Sequence, residues 1–549
     1  MTEQKDDPQP ASSAANETIP EQQTVPNAFS TELLEISPEQ RADFFNRLAL
    51  NPAAHTTADV LSSLGFRNDE GKLSFIRDHI VWPVSEQDIL HTLKEIFAER
   101  SETESAPFFR KLGTVTNSRA LRLIAKTDPE TDGKPFWHTE WSFLFPFQNG
   151  LLKVESNRLE LVPYAEAKVL VPAEAIKPHS LDLTDETVKK AYWQESDFYK
   201  LTLNQATDPK TNQLDGNLHE AIMMALAKTC HLHFNPVDPC AVIISEQTEP
   251  GQRNAGGTGK GILMQAVTHM GSKVSRIDGK NFDIKYPHAL QGITAETRVV
   301  WVDEVDETEE VLNAFYNGLT DGFMINPKNC KPLVIPPERA PRVVFTTNSP
   351  GTGTNDSDLR RRFDVPLFRW YNSNHQPTDD FGKVLFGPEW TDEDWNRFYL
   401  VMAIACFRFL EQGCATGRMP RCKKAKLLLE QAALNEIDGD LREHFEELYG
   451  DSMEQGTAFN VVSKKDLEQF KHNYPGSSAN VSNSTAYNNF LEGWLRLKGW
   501  NLERNQTRVR VDGKQVRAVK AIPQRVEIKP AARQTPPADT AGEACSKAS

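Results

Sequence analysis

The chain has 549 residues, of which 25% are charged and 39% hydrophobic, with a net charge of −14. These values are typical of a globular protein with several domains, and they exclude a uniformly basic surface but not a local basic groove. No run of about 18 apolar residues occurs, so no membrane span is expected. The seven cysteines have neither zinc-site nor disulfide-framework spacing, and free thiols in a reducing cytoplasm are expected.

The first half of the chain divides by composition and pattern. An acidic, polar start predicts a disordered tail over residues 1–30 and no secretion signal. A helical region is expected over 31–106, where Ser37 suits an N-cap. Short apolar runs broken by Asn-Gly and proline, including "RALRLIAK", predict a β-rich module over 107–183.

Residues 184–375 predict an α/β P-loop NTPase core that begins with helices. The buried strand "CAVIISEQ" precedes a glycine loop, the helix "GILMQAVTHMG", and two more buried strands, "RVVWVDEVD" and "PRVVFTTNS". Buried strands with polar residues at their carboxyl ends are typical of a parallel sheet covered by helices.

The remainder predicts a helical region (376–455), a winged-helix-like module (456–530) and a second disordered tail (531–549). Nine Lys or Arg stand against three Asp or Glu between Glu503 and Arg533. A hairpin turning at Asp512-Gly513 would carry many of these charges. Phosphate contacts to DNA are expected from Arg508, Arg510, Lys514 and Arg517, and the alternative is a solvated hairpin face.

The stretch "NAGGTGKGIL" is similar to a Walker A loop, G-x-x-x-x-G-K-[ST], and lies between a predicted strand and a predicted helix. Backbone N–H groups at the helix start would face phosphates, and Lys260 would reach the β and γ oxygens. Two residues depart from the motif, since Asn254 replaces the first glycine and Gly261 replaces the hydroxyl residue. The predicted nucleotide-binding residues are Gly256, Gly257, Thr258, Gly259, Lys260 and Gly261.

The strand "VVWVDEVD" ends in Asp303 and Glu304. Asp303 would hold Mg²⁺, directly or through water, while Glu304 would assist at the metal and orient or deprotonate the attacking water. The alternative is a strand that ends in a solvated acidic turn.

Asn348 ends the next apolar strand and would polarise the same water, although asparagine at a strand end is often a turn former. Three arginines follow, Arg360 to Arg362. Arg361 or Arg362 would stabilise transition-state charge in the site of a neighbouring subunit, and the alternative is a solvated basic helix end. Four elements in this order predict an ATPase that requires Mg²⁺.

The segment "GLTDGFMINPKNCKPLVIPPERAPRVVFTTN" resembles the superfamily 3 helicases of viruses, phages and plasmids. "GGTGKG", "IDGKNFD" and "FLFPFQNGLLKVESNRLELVPYAEA" further resemble the poxvirus-type and phage-type primase-helicases, over roughly residues 130–500. The resemblance implies a hexamer whose channel hairpin binds single-stranded DNA through Lys328 and Lys331, and the alternative is that these are ordinary surface lysines on a hairpin. Some members of that group carry glycine after the Walker lysine, so Gly261 is compatible with an active site.

No primase centre is evident upstream, so a helicase without priming activity is expected, with a separate primase or polymerase as partner and origin duplex as a further ligand. Two other functions stay open. The first is an AAA+-like protein-remodelling or defence ATPase, for which an aromatic channel loop would be expected instead of lysines. The second is a non-catalytic DNA-binding initiator with a degenerate P-loop, which the intact Asp303-Glu304 pair opposes.

Overall fold

A computed structural model describes residues 11–12 and 25–523 with gaps. The gaps are 27, 51–52, 98–105, 107–118, 137, 248–255, 306–308, 349–360, 373, 426–427, 429–438, 476, 478–480, 482, 499 and 512–513. Most of the tail predicted over 1–30, and all of that over 531–549, therefore lies outside the described residues. The chain divides into two compact units, Met1–Leu429 and Glu430–Ser549. No helix in the described part is both long and apolar enough to cross a membrane.

The first unit begins with a small α/β region rather than the predicted helical one. Its helices are α1 (Pro38–Leu50), α2 (Ala54–Ser63) and α3 (Glu86–Ile96), and its strands are β2 (Phe66–Asp69), β3 (Lys72–Arg77) and β4 (Ile80–Pro83). Two-residue turns join the strands, and Glu70, Gly71, Asp78 and His79 all have positive φ. Such turns match the twist of a hairpin, which explains why this segment is not helical.

Two further details of this region differ from the expected pattern. Phe29, predicted to lie in a disordered tail, packs its ring against Phe66 and Phe75 at centroid distances of 5.8 and 5.1 Å. The stretch "RALRLIAK", predicted to be β, forms the helix α4 (Arg119–Leu123). Leu121 is buried there, so the apolar residues of the stretch serve a helix face.

Two sheets organise the β-rich part. Their further elements are β1 (Ala11–Ser12), β5 (Lys134–Pro135), β6 (Ser142–Phe147), β7 (Gly150–Glu155), β8 (Arg158–Val162), α5 (Tyr164–Ala167) and β9 (Val169–Pro172). The first sheet has the order β2-β3-β4-β9-β5, and the second has the order β1-β8-β7-β6. Gly150 follows β6 with φ 149°, and an added Cβ would lie 2.8 Å from the carbonyl oxygen of Val162. Only glycine therefore fits this turn.

Helices precede the central sheet, as expected. They are α6 (Lys190–Trp193), α7 (Asp197–Gln205) and α8 (Gly216–Cys230), with the small hairpin β10 (Thr207–Asp208) and β11 (Gln213–Leu214) between the last two. Asp215 caps α8 by accepting hydrogen bonds from the N–H groups of Asn217 and Leu218. Helix α8 is buried over most of its length, as suits a helix enclosed by other elements.

The central sheet has five parallel strands in the order β13-β14-β17-β12-β18. They are β12 (Ala241–Glu246), β13 (Val274–Asp278), β14 (Val299–Asp303), β17 (Arg342–Thr346) and β18 (Arg362–Leu367). The connections contain α9 (Lys260–His269), α10 (Glu309–Asp321) and the antiparallel hairpin β15 (Phe323–Ile325) and β16 (Leu333–Ile335). The mixed α/β class with a parallel sheet is thus confirmed, and it is loosely consistent with a P-loop NTPase core.

After the sheet come α11 (Pro377–Phe381) and the long helix α12 (Asp392–Glu411). Thr391 and Asp394 form a capping box at the start of α12. Helix α12 is almost entirely buried and packs against α8, in a core that also contains residues of β6, β7, β12 and β18. The β-rich part and the central sheet therefore share one hydrophobic core.

The second unit contains α13 (Gly439–Glu454), β19 (Phe459–Val461), α14 (Ser463–Asn473), α15 (Ser484–Leu497), β20 (Trp500–Val511) and β21 (Lys514–Pro523). Its sheet has the order β19-β21-β20. Phe445, Tyr487 and Trp494 lie in its core. The unit thus includes a helix that precedes residue 456 and a third strand, neither of which was predicted for this module.

Candidate functional site

The glycine loop joins β12 to α9 in the order that phosphate binding requires. Gly256, Gly257 and Gly259 have φ values of 71°, 89° and 84°, a region that glycine adopts without steric cost. Gly259 is the N-cap of α9, so Lys260 is its first residue. The exposed N–H groups of this helix start form the kind of terminus that binds anions.

The Lys260 side chain is turned back beneath the loop. Its ammonium forms an ion pair with Glu246 and donates to Oδ1 of Asn348 at 2.8 Å. Burial lowers the pKa of Lys260, while the pair with Glu246 acts in the opposite direction. Lys260 and Asn348, both predicted from the sequence, thus meet because β12 and β17 are adjacent parallel strands.

The side chain of Thr258, although it belongs to the predicted nucleotide-binding loop, is not directed at the nucleotide site. Its hydroxyl is buried and donates to Oε1 of Glu246 at 3.1 Å. The side chain therefore faces the protein interior, and nucleotide contact by Thr258 would use its backbone N–H.

Gly261 leaves open space where the motif has a hydroxyl residue. An added Cβ at Gly261 would meet no atom within 4 Å. The site therefore has room for the missing serine or threonine. Asn254, the other departure from the motif, lies outside the described residues.

Asp303 is fixed on two sides at the end of β14. Its Oδ1 accepts from the hydroxyl of Thr346 at 2.6 Å, and its Oδ2 accepts from Nε of Arg276 at 3.1 Å. The Arg276 guanidinium also lies over the ring of Trp301, 4.8 Å from its centroid. An arginine from the edge strand β13 thus neutralises the predicted metal ligand.

Glu304 follows directly with a left-handed backbone, φ 53°. Such a conformation costs a residue with a Cβ about 1 kcal/mol or more and is often found at functional sites. The Glu304 carboxylate forms an ion pair with Lys280. Both acids lie close enough to Lys260 to act on its pKa.

Oxygen ligands suited to Mg²⁺ are therefore present at the carboxyl ends of the strands. Within the residues described, no three His, Cys, Asp or Glu side chains are grouped to hold a metal by themselves. Mg²⁺ commonly keeps several waters and binds through one or two carboxylates and substrate phosphates. Asp303 and Glu304 fit that requirement, and the ion would balance phosphate charge beside Lys260.

The structure corrects the prediction for Arg362. Its side chain is 1% exposed and pairs with Asp364 at 2.6 Å. Arg362 lies opposite Ala241 at the start of the strands, whereas Glu246 lies opposite Leu367 at their end, about 16 Å away. A buried, paired arginine cannot extend into a neighbouring subunit, so the role predicted for Arg362 is wrong. The role of Arg361 stays a prediction, and Arg360 lies outside the described residues.

The predicted DNA-binding lysines lie where a hairpin would present them. Lys328 and Lys331 are both exposed in the turn between β15 and β16. Met324 and Val334 pair across the two strands and are 68% and 66% exposed. The hairpin therefore presents positive charge at its tip and an apolar pair on one face.

In the second unit, β20 and β21 form the predicted basic hairpin. Arg508 lies directly opposite Arg517, and Arg510 lies opposite Gln515. All three arginines are exposed, and within the described part of this unit none of them forms an ion pair. The side chain of Lys514 lies outside what the structure describes.

Five residues that contact the loop or the predicted site residues, or that lie beside such a contact, were not predicted from the sequence: Gln205, Glu246, Arg276, Lys280 and Arg369. Gln205 ends α7, and its amide donates to the carbonyl oxygen of Thr258 at 2.9 Å. Glu246 offered the clearest signal, because it is a charged residue at the end of the otherwise uncharged strand "AVIISE". The others come from elements whose adjacency only the folded chain reveals.

Comparison with known proteins adds little. No family model and no curated protein matches the chain. Two structures of the apo A form of the NrS-1 C-terminal region are similar to 85% of this chain and 99% of theirs, at 15% identity and TM-scores of 0.39 and 0.38. A full-length MCM homolog from Methanopyrus kandleri is similar over 64% of each chain, at 11% identity and a TM-score of 0.21. Values this low assign neither a family nor a function.

Proposed function

We propose that the chain is an ATP-dependent DNA helicase of the superfamily 3 type, which couples Mg²⁺-dependent ATP hydrolysis to movement along single-stranded DNA during replication of a phage, plasmid or other mobile element. One observation carries the proposal. Lys260, Asn348, Asp303 and Glu304 converge at the carboxyl ends of three adjacent parallel strands. This is the place where open α/β sheets bind ligands.

Each residue has a chemical task in this proposal. Lys260 and the N–H groups of the glycine loop hold the β and γ phosphates, so that the transferred group is positioned and its charge is stabilised. Asp303 and Glu304 would hold Mg²⁺, which would supply further neutralisation of the phosphate charge. Glu304 and Asn348 orient the attacking water, and Glu304 accepts its proton.

The proposed assembly is a homo-hexamer with Arg361 supplied to the neighbouring site. Lys328 and Lys331 contact the phosphates of a single strand through the hairpin tip. The arginines of the β20–β21 hairpin contact duplex DNA, as in a winged-helix module. A separate primase or polymerase would work on the strands that the helicase exposes.

The test is ATP hydrolysis by the full chain with Mg²⁺, with and without single-stranded DNA. We expect DNA to stimulate the wild type by about tenfold. Lys260→Ala should lose hydrolysis altogether, while Lys328→Ala/Lys331→Ala should keep the basal rate and lose the stimulation. Lys126→Ala/Lys134→Ala, which removes two exposed lysines of the N-terminal region, is the matched control and should retain both. Hydrolysis that Lys260→Ala leaves intact would overturn the assignment of the site.

The exposed pair Met324 and Val334 favours one second candidate, an AAA+-like ATPase that remodels protein. An apolar hairpin face suits contact with an unfolded chain better than contact with phosphates. The same assay separates the two functions when an unfolded protein replaces DNA. Stimulation by the unfolded protein but not by DNA would favour remodelling.

A further inference from the structure

A buried carboxylate beneath the glycine loop has no place in the mechanism above. Glu246 is 0% exposed at the carboxyl end of β12, where the other strand residues are apolar or small. A buried ionised carboxylate is costly unless a cation and hydrogen-bond donors compensate it. One of its oxygens is compensated, because Oε1 accepts from Thr258 and pairs with Lys260.

The second oxygen of Glu246 has no hydrogen-bond donor within the described part of the chain. Among the described residues, Oε2 of Glu246 accepts no hydrogen bond, and Nε of Arg369 donates none. These two groups lie 3.9 Å apart. Arg369 follows β18 closely, at the same end of the sheet as the glycine loop. Two buried groups of opposite charge therefore face each other just beyond hydrogen-bond distance.

Nucleotide binding creates a conflict at this point, if the site is the nucleotide site proposed above. Lys260 must turn toward the phosphates, and its ammonium then leaves Glu246. Among the described residues, Thr258 would then be the only hydrogen-bond donor to Glu246, and a neutral hydroxyl does not compensate a buried negative charge. Either a second cation neutralises Glu246, or Lys260 remains paired with it and does not reach the phosphates.

We infer that Glu246 exchanges partners when nucleotide binds, from Lys260 in the empty site to Arg369 in the occupied one. Arg369 closes the gap to Oε2 and keeps the buried carboxylate neutralised. Arg369 is thus a positioning residue: it does not contact the phosphates, but it permits Lys260 to reach them. The inference rests on the proposed nucleotide site and adds to it a residue on which nucleotide affinity depends.

A double-mutant cycle on the full chain tests the exchange, with dissociation constants for a fluorescent ATP analogue and Mg²⁺ as the readout. Arg369→Gln should weaken binding by about tenfold, because Lys260 stays with Glu246. Glu246→Gln should bind as tightly as the wild type or more tightly, since no buried carboxylate then retains the lysine. Glu246→Gln/Arg369→Gln should return to within about threefold of the wild type, because no buried carboxylate then needs a cation.

Two further variants guard against a merely structural effect. Arg369→Lys keeps the charge and should bind within about threefold of the wild type. Arg397→Gln is the matched control, because Arg397 is also a partly buried arginine whose Nε lacks a hydrogen-bond partner among the described residues, but it lies on α12 beside Glu393. Its nucleotide affinity should not change. Thermal unfolding of each variant establishes that it is folded.

Three outcomes would overturn the exchange. Equally weak binding by Arg369→Gln and by the double variant would mean that Arg369 contacts the nucleotide itself. Unchanged binding by Arg369→Gln would mean that Glu246 needs no second cation. Wild-type affinity no better than that of Lys260→Ala would remove the nucleotide site, and with it both the proposed function and the exchange. The first two outcomes leave the proposed function standing.

Discussion

The nucleotide loop and the β20–β21 hairpin are both rich in basic side chains, but these side chains differ in their surroundings. Around the loop, Lys260, Arg276 and Lys280 are each paired with a carboxylate. On the hairpin, Arg508 and Arg517 lie opposite each other. One region neutralises its cations internally, while the other leaves them exposed.

This difference indicates how each region would meet a ligand. Like charges directly opposite on a sheet lower its stability, and the proposed contact with DNA phosphates would relieve this repulsion on the hairpin. Internal pairing does the reverse, because it stabilises the empty site and requires the ligand to displace existing partners. Changes in the loop should therefore affect ligand binding and stability together, whereas changes on the hairpin should separate the two.

The largest effect is expected from Gly259→Ala. Its φ of 84° disfavours any residue with a Cβ, and the added carbon would lie 2.8 Å from Nε2 of Gln205. We expect nucleotide affinity to fall by more than tenfold, together with a loss of about 1–2 kcal/mol of unfolding free energy. Titration with a fluorescent ATP analogue and chemical unfolding measure the two quantities.

Gly261→Ser is the matched control on the other side of Lys260. The new side chain enters open space, and serine is a better helix former than glycine by roughly 0.5 kcal/mol. It also restores the hydroxyl of the Walker motif, so Mg²⁺-dependent binding should be kept or improved. If both variants lost affinity equally, the geometry assigned to the loop would be incorrect.

The hairpin should respond differently. Arg508→Ala/Arg517→Ala should weaken duplex DNA binding by about tenfold to a hundredfold at low salt, and it should reduce the slope of log affinity against log salt by about 2. Unfolding free energy should stay constant or rise by ~0.2–1 kcal/mol, because the like-charge pair is gone. Fluorescence anisotropy over a salt series and thermal unfolding provide the readouts.

Lys464→Ala/Lys471→Ala, which removes two exposed lysines of α14, matches that change in charge within the same unit. It should retain most of the affinity. An equal loss of affinity would show that binding depends on the total charge of the unit and not on the arginines of the hairpin. The hairpin would then not be the surface that binds DNA.

The parts of the fold and site that the sequence predicts correctly depend on short-range patterns. Apolar strands that end in polar residues predicted the strands that carry Asp303 and Asn348, and the glycine loop predicted the start of α9. Patterns within one element are visible in the sequence because side-chain periodicity is local. Lys260 meets Asn348 because β12 and β17 are adjacent parallel strands, and the pattern within each strand does not predict that adjacency.

The predictions from sequence are wrong where the tertiary environment of a residue determines its structure or role. Three consecutive arginines look equivalent in sequence, but Arg362 lies in a strand two residues before Asp364. Residues two apart in a strand share a face, so this spacing was a usable signal for an internal pair. The pairing of Glu246 with Arg369 had no such signal, because it depends on the lateral order of β12 and β18. Ambiguous apolar runs account for the strands missed between residues 66 and 83.

Lys177 is a third kind of cation, because it is buried and pairs with no carboxylate among the described residues. Its ammonium lies 3.4 Å from the carbonyl oxygen of Pro146 and above the ring of Phe147, and burial lowers the pKa of Lys177 to about 7. Between that value and its ordinary 10.5, the unfolded chain holds a proton that the folded chain has lost, so stability rises with pH in this window. Below about pH 7 the full cost of the buried charge remains.

Lys177→Met should therefore stabilise the first unit, by on the order of 2 kcal/mol near pH 6, with a gain that shrinks as the pH rises toward 10. Thermal unfolding of variant and wild type at several pH values measures this gain.

Lys228→Met is the control, because Lys228 is also buried but donates to the carbonyl oxygen of Asp238 at 3.1 Å, next to a carboxylate that pairs with Arg421. That variant should lose stability near neutral pH, where Asp238 is ionised and is left with one cation fewer. A gain from Lys177→Met that did not depend on pH would indicate better packing rather than relief of a buried charge. Lys177 could then not be contrasted, as an uncompensated buried charge, with the paired cations of the nucleotide loop.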